Sequence, residues 1–375
     1  MKVLFVNARY DPEGIGGPAR SLRIWAEYMV RDGHAPIVVC RGVGTRRTRE
    51  RRNGVEVLRL PPTLSGAEAA KAVAAEIASV RPEVVHTHFL KGFDKDALAR
   101  SIAAFPGRTV HTLHEYSLVC GEGLLFRNGR ACRAICPDCR QVAGRARPFA
   151  DAVDAVVGVS RHVLRRHLAE GLFEGTPLRR VIPNSYDAPR PAPPAGGSTW
   201  QGLRLGYLGR LSREKGVEHL LATVAGIAPD TPLELLVAGR LDDAYGRQLR
   251  QRFESRRIRF VGYADPARFF PAIDLLVFPS VCEETFGRGV IEAQAHGVPV
   301  IVSDRGALPE LVSPGETGWV YAPEEPASLR RLIFGALRGR DRIDAMASRC
   351  REAARAFATD GVVRAYYELY RVAAG

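Results

Sequence analysis

The chain alternates short apolar runs with amphipathic stretches, and it does so twice, with a break between. Apolar runs at 2–7, 35–40, 55–60, 84–88 and 109–113 read as strands, and 19–32 and 67–80 between them read as helices. In 19–32, Leu22, Trp25, Ala26 and Met29 fall on one helical face. Strands separated by whole helices return through crossovers, which predicts a parallel, doubly wound sheet. From Ala188 to Ser198 the pattern gives way to prolines and then glycines, the composition of a linker. It restarts with strands at 203–208, 233–238, 258–261, 275–278 and 298–302, again with helices between. At 375 residues the chain is long for a single core. The reading is α/β: a Rossmann-like domain over 1–190, a linker over 191–202, a second Rossmann-like domain over 203–360, and a cleft between the two. Residues 362–373, with Tyr366, Tyr367, Leu369 and Tyr370, form a last amphipathic helix.

Chemistry concentrates in the second half. The apolar run 274–279 is followed by a loop with Gly287 and Gly289 and then an amphipathic stretch. Strand, glycine loop and helix start form a phosphate cradle, because bare backbone N–H groups and the positive end of a helix dipole face an anion. Two carboxylates, Glu284 and Glu292, flank that loop. Carboxylates repel phosphate, so they read as hydroxyl acceptors for a polyol carried on it, a ribose or a hexose. Earlier, Gly206-Tyr-Leu-Gly-Arg-Leu-Ser-Arg-Glu-Lys-Gly216 runs from a strand into a loop bearing Arg210 and Lys215. Two fixed cations there can neutralise a diphosphate and stabilise it as a leaving group; alone, such residues are ordinary surface charges.

Together these two motifs resemble those of retaining glycosyltransferases of the GT-B fold, in particular glycosyltransferase family 4 with its E-x7-E pattern. The resemblance implies two Rossmann-like domains facing each other across a cleft, with the C-terminal helix, 361–375, crossing back onto the first domain. It implies Arg210 and Lys215 on the donor diphosphate, Glu292 on the nucleotide ribose, Glu284 on the transferred sugar, and the N–H groups around Gly287, Arg288 and Gly289 on phosphate. The segment ending at Tyr263 is similar to the one whose backbone faces the base. Gly16 and Gly17, in the glycine loop after the first strand, resemble the loop that lies beneath the donor phosphates; a tight turn is the plainer reading. His114, after the fifth strand, matches the position that lies near donor sugar and acceptor. His86 and His88 share one face of their strand, where one of them also fits a satisfied core histidine. Glu310 resembles a site residue and fits equally well as a carboxylate complementing a helix dipole. Asp94-Lys-Asp96 reads as helix capping, so no catalytic metal is expected. The sequence departs from the family pattern at Thr285, Ala307 and Ser185–Tyr186, which bears on donor specificity.

Cys120, Cys132, Cys136 and Cys139 fall within a polar, glycine-rich stretch, and the final C-x2-C is a common metal-knuckle spacing. A structural tetrahedral site is expected, zinc first and an iron–sulfur cluster second; unrelated thiols or a disulfide pair are the alternatives. Four thiolates would leave no open position for catalysis.

The net charge of +13 comes mainly from arginine. It suits anionic ligands such as nucleotide sugars, or an anionic membrane surface. The densest run has arginines at 41, 46, 47, 49, 51 and 52. It reads as a solvated loop or, more sharply, as a foot for lipid phosphate. No basic stripe interleaved with aromatics points to nucleic acid. The first residues lack a signal sequence and no apolar run spans a bilayer, so a cytoplasmic location is expected, with peripheral contact at the inner face of the membrane. The expected partners are a nucleotide-diphosphate sugar and a glycan, lipid-linked or small-molecule hydroxyl acceptor. The expected setting is bacterial polysaccharide or lipid-linked glycan synthesis. Decoration of a small natural product is one alternative, and a metal-stapled nucleic-acid-binding protein is another, of a different class.

Overall fold

A computed structural model of the chain describes residues 1–12, 16–132, 134–186, 202–325 and 327–372. The linker expected at 191–202 lies, up to residue 201, outside these. The chain divides into two compact units: Met1–Leu125, Arg133–Asp187 and Thr359–Gly375 make the first, and Phe126–Cys132 and Ala188–Ala358 the second.

The first unit is built on strands β1 (Lys2–Asn7), β2 (Ala35–Arg41), β3 (Thr48–Arg52), β4 (Val55–Leu60), β5 (Val84–Thr87) and β6 (Arg108–Leu113). A two-stranded hairpin, β7 (Phe126–Arg127) and β8 (Arg130–Ala131), follows and belongs to the second unit. Strands β9 (Ala155–Gly158) and β10 (Leu178–Val181) complete the sheet, whose order is β10-β9-β6-β5-β1-β2-β4-β3. Every pairing is parallel except β3 with β4. Helices α1 (Gly17–Arg31), α2 (Gly66–Val80), α3 (Lys95–Ala103), α4 (Pro137–Asp151) and α5 (Arg161–Leu168) make the crossovers. The carboxyl ends of β1, β2, β4, β5 and β6 therefore share one edge, the edge where open parallel sheets bind ligands. Asp94 caps α3 by accepting from the Ala97 N–H at 2.8 Å, the capping role its position suggested.

Residues 48–52, read from sequence as part of a basic loop, form the edge strand β3. Its Arg49 pairs with Glu56 and with Glu76 and its Arg52 with Asp11, and Arg47 just before it pairs with Glu76. Charge along a sheet edge blocks pairing with another chain, which gives this run a structural task.

The second unit has a six-stranded parallel sheet: β11 (Leu203–Leu208), β12 (Leu233–Ala238), β13 (Ile258–Gly262), β14 (Leu275–Phe278), β15 (Val300–Ser303) and β16 (Gly318–Tyr321), in the order β13-β12-β11-β14-β15-β16. Helices α6 (Val217–Ala225), α7 (Ala244–Phe253), α8 (Pro266–Phe269), α9 (Arg288–Ala295), α10 (Ser328–Arg338) and α11 (Arg340–Arg355) surround it. Leu205, Val237, Leu275, Val277 and Ile301 fill its core from adjacent strands.

The last helix, α12 (Thr359–Val372), belongs to the first unit. Val362, Val363, Tyr366, Tyr367, Leu369 and Tyr370 are buried on it and join the core with Phe5, Leu22, Trp25 and Met29. The Tyr370 hydroxyl lies 2.6 Å from His86 Nδ1, and the Tyr366 hydroxyl 3.2 Å from Thr112 Oγ1. Among the described residues, no helix is long and apolar enough to cross a membrane.

Candidate active site

In the second unit, two loops at the carboxyl ends of adjacent strands meet. The loop after β11 turns through Arg213–Lys215, and the loop after β14 leads to α9. The Glu214 carbonyl accepts from the Val281 and Cys282 N–H groups at 3.0 and 3.2 Å. Gly216 makes this approach possible: it has φ +64, and a Cβ there would lie 1.9 Å from the Pro279 carbonyl oxygen. The Glu214 carboxylate, itself buried, accepts from Ser212 Oγ at 2.7 Å and pairs with Arg210 at 3.2 Å.

This junction brings Lys215 and Glu284 together. Lys215 Nζ donates to Glu284 Oε1 at 2.6 Å, and Ser280 Oγ donates to the same oxygen. Burial alone would lower the Lys215 pKa; the Glu284 carboxylate outweighs it, and the amine sits above its ordinary value. Lys215 is thus a cation throughout the neutral range. Burial, with Glu284 adding to it, pushes the neighbouring Cys282 thiol up to about 12. The Glu284 backbone is held from the other side, where its carbonyl accepts the Ala307 N–H at 2.8 Å.

Gly287 stands before α9, whose first turn has no capping side chain and contains Arg288 and Gly289. The N–H groups of those two residues point from a helix start, the arrangement that favours an anion. Glu292, one turn on, pairs with Arg288 at 3.3 Å, and both are largely buried. The structure thus brings Lys215, Glu284, Arg288 and Glu292 onto the two meeting loops and the helix that follows, with Arg210 at the base of the first loop. Tyr263 follows β13 and is 81% exposed. Glu310 lies in the 3₁₀ turn Leu308–Leu311. Ser280 went unnoticed in the sequence; a serine four residues before a glutamate carries no distinguishing signal.

Three of the residues expected around donor and acceptor lie in the first unit. Gly16 precedes α1 and Gly17 opens it. His114 follows β6, and its Nε2 lies 3.0 Å from His88 Nδ1. Burial drives His86 and His88 well below the ordinary histidine value, with neighbouring imidazoles adding to the effect. His86 proves to be a satisfied core histidine, with its second nitrogen 2.7 Å from Thr112 Oγ1.

All seven cysteines are free thiols, so the disulfide alternative is not realised. Cys139 is raised to about 11 by partial burial, with hydrogen bonds to Cys136 and Cys120 contributing. Cys132 falls in the other unit. Among the described residues, no group of three or more His, Cys, Asp or Glu side chains is arranged to hold a metal ion. Of the four thiols expected to bind zinc or an iron–sulfur cluster, Cys139 is hydrogen-bonded with Cys136 and Cys120.

Comparison with known proteins agrees with this architecture. Residues 15–190 match the model of "Glycosyltransferase Family 4", and residues 202–338 match that of "Glycosyl transferases group 1". An uncharacterized 42.6 kDa protein in the cps region of Klebsiella pneumoniae is 25% identical over 83% of this chain and 87% of its own. The D-inositol 3-phosphate glycosyltransferase of Corynebacterium jeikeium is 27% identical over 65% of this chain and 61% of its own. Anabaena HepE, solved with UDP-glucose, superposes with a TM-score of 0.75 at 19% identity, covering 99% of this chain and all of the other. With a family 4 domain followed by a group 1 domain, the chain belongs to the GT-B glycosyltransferases and is an enzyme of the transferase class.

Proposed function

We propose that the protein transfers a sugar from a nucleotide-diphosphate sugar to a hydroxyl of a glycan or lipid-linked glycan, with retention at the anomeric carbon. The observation that carries this reading is the buried Lys215–Glu284 pair at 2.6 Å. An ammonium has three donors, so one N–H on Glu284 leaves two for the diphosphate. Lys215 and Arg210 neutralise the leaving group, the N–H groups at Arg288 and Gly289 approach its phosphate, and no divalent cation is called for. Glu284 receives hydroxyls of the transferred sugar, Glu292 those of the ribose, and the backbone at Tyr263 faces the base. By the family resemblance, Gly16 and Gly17 are assigned to the donor phosphates and His114 to sugar and acceptor. The UDP-glucose in HepE supports a uridine donor.

In the reaction, the bond from the anomeric carbon to the diphosphate oxygen breaks while the acceptor oxygen bonds to that carbon on the same face. The acceptor proton passes to the departing phosphate oxygen, so no side-chain base is needed. Zinc at the cysteine group remains part of the proposal, supported by the C-x2-C spacing and by the hydrogen bonds of Cys139 to Cys120 and Cys136.

Lys215→Ala and Glu292→Ala are each expected to lower transfer from UDP-glucose by about 10²–10³-fold or more, the scale of losing one donor to a developing charge. The circular dichroism spectrum should not change. Wild-type activity in either variant contradicts the assignment. An NMR assay of product configuration that shows inversion contradicts retention.

A further inference from the structure

The first domain holds a cavity of about 390 Å³ that the donor chemistry does not use. Its wall comes from four neighbouring parallel strands at their carboxyl ends. Arg9 follows β1, Arg41 closes β2, Pro62 follows β4, and Phe89 and Lys91 follow β5. The sheet order places β5 and β2 on opposite sides of β1, the point at which chain direction across the sheet reverses and where open sheets form their binding crevice.

Three of the side chains lining the cavity are cations, and none is a carboxylate. Arg41 is fixed: one guanidinium nitrogen donates to the carbonyls of Pro62 at 3.0 Å and Leu64 at 2.6 Å. Its other terminal nitrogen is buried without a hydrogen-bond partner, an arrangement that costs stability unless something accepts from it. Arg9 and Lys91 are exposed and have no ion-pair partner among the described residues. The backbone beneath is rigid, since Ala8 N–H donates to the Phe89 carbonyl at 2.6 Å and Phe89 N–H to Asn7 Oδ1 at 3.0 Å. By contrast, Arg47, Arg49 and Arg52 on the neighbouring basic run are tied up in ion pairs.

We propose that this cavity binds a phosphate or diphosphate group carried by the acceptor, so that the acceptor is a phosphorylated species. The inference rests on the reading that the first domain takes the acceptor and the second the donor. Three converging cations, one of them an immobilised guanidinium with a spare donor, are the complement of a phosphoryl group. A neutral glycan would leave them unmatched. A soluble sugar phosphate and a lipid-linked phosphate present the same group.

The test titrates the full chain with inorganic pyrophosphate by calorimetry while UDP is held at saturation, and compares wild type with Arg9→Gln/Lys91→Gln and with Lys215→Ala. These two substitutions remove exposed charges and no hydrogen bond of the fold. Pyrophosphate affinity is expected to fall at least tenfold in Arg9→Gln/Lys91→Gln, with UDP affinity unchanged. Lys215→Ala should instead weaken UDP. No pyrophosphate binding by wild type under saturating UDP, or equal affinity in the double variant, overturns the cavity assignment. UDP binding that does not depend on Lys215 overturns the donor assignment separately. Pelleting with phosphatidylcholine vesicles containing phosphatidic acid, reduced in the double variant, places the phosphate on a lipid. Pyrophosphate binding without pelleting places it on a soluble acceptor.

Discussion

Lys215 keeps its charge in a place largely removed from water because a single carboxylate oxygen of Glu284 sits 2.6 Å away. Breaking such a pair from one side is costly, about 3–5 kcal/mol, because the remaining charge stays buried. The position of Glu284 depends in turn on a residue with no side chain. Gly306 has φ +61, and a Cβ there would lie 2.2 Å from the Glu284 carbonyl oxygen and 2.4 Å from its nitrogen. Gly306→Ala is therefore expected to lower stability by at least about 2 kcal/mol, combining the left-handed backbone penalty with the clash. It should also weaken UDP binding by displacing the Glu284 carboxylate from Lys215. Urea denaturation and calorimetry read the two effects; UDP affinity equal to wild type would show that Glu284 does not need this support. Glu284, Glu292 and Lys215 were legible in the sequence because their spacing around glycines has a chemical meaning. Ser280 and the Arg9–Arg41–Lys91 group were not. They converge from strands far apart in sequence, and only the rule that ligands gather at the carboxyl ends of parallel strands could have drawn attention to them.

At the scale of elements, most central strands were legible because they are short apolar runs buried on both faces. β9 and β16, each only four residues long, were not read, nor were β3 and β10, since Thr-Arg-Glu-Arg-Arg and Leu-Arg-Arg-Val carry the charge of exposed edges. The ends of β5 and β6 are also where histidines collect. His86, His88 and His111 are driven well below the ordinary value by burial, and His167 is lowered to about 4, again by burial. In the unfolded chain each takes a proton near about 6.5. Below that pH the unfolded state binds more protons than the folded state, so stability is fully present above it and is lost as pH falls. Each histidine contributes a slope of about 1.4 kcal/mol per pH unit until it protonates in the fold. Urea midpoints are expected to drop between pH 7 and 5, and His86→Gln should shallow that dependence. A midpoint independent of pH would mean that these imidazoles are charged in the fold. The cysteine segment supplies a second check at this scale. Elemental analysis of protein purified without chelators is expected to give one zinc per chain, lost in Cys136→Ser/Cys139→Ser; absence of both zinc and iron in wild type contradicts the proposed site.

At the scale of the molecule, the chain forms two Rossmann-like units, and the repeated strand–helix alternation made them readable before any coordinates. The return of the last helix to the first unit came from the family resemblance and not from the pattern; it rests on Tyr366 and Tyr370 reaching Thr112 and His86 more than 250 residues away in sequence. An amphipathic pattern shows that a helix will be buried but not against what. The proposed function makes the donor site a property of the second unit, centred on Lys215. The most direct test is the thermal unfolding of wild type and Lys215→Ala with UDP, GDP, ADP and dTDP, each with magnesium and with a chelator. One diphosphate, UDP, is expected to raise the wild-type midpoint equally with or without magnesium, since ligand bound only to the folded state stabilises it, and to have no effect on Lys215→Ala. No shift with any diphosphate, or a shift that survives loss of Lys215, would contradict the account.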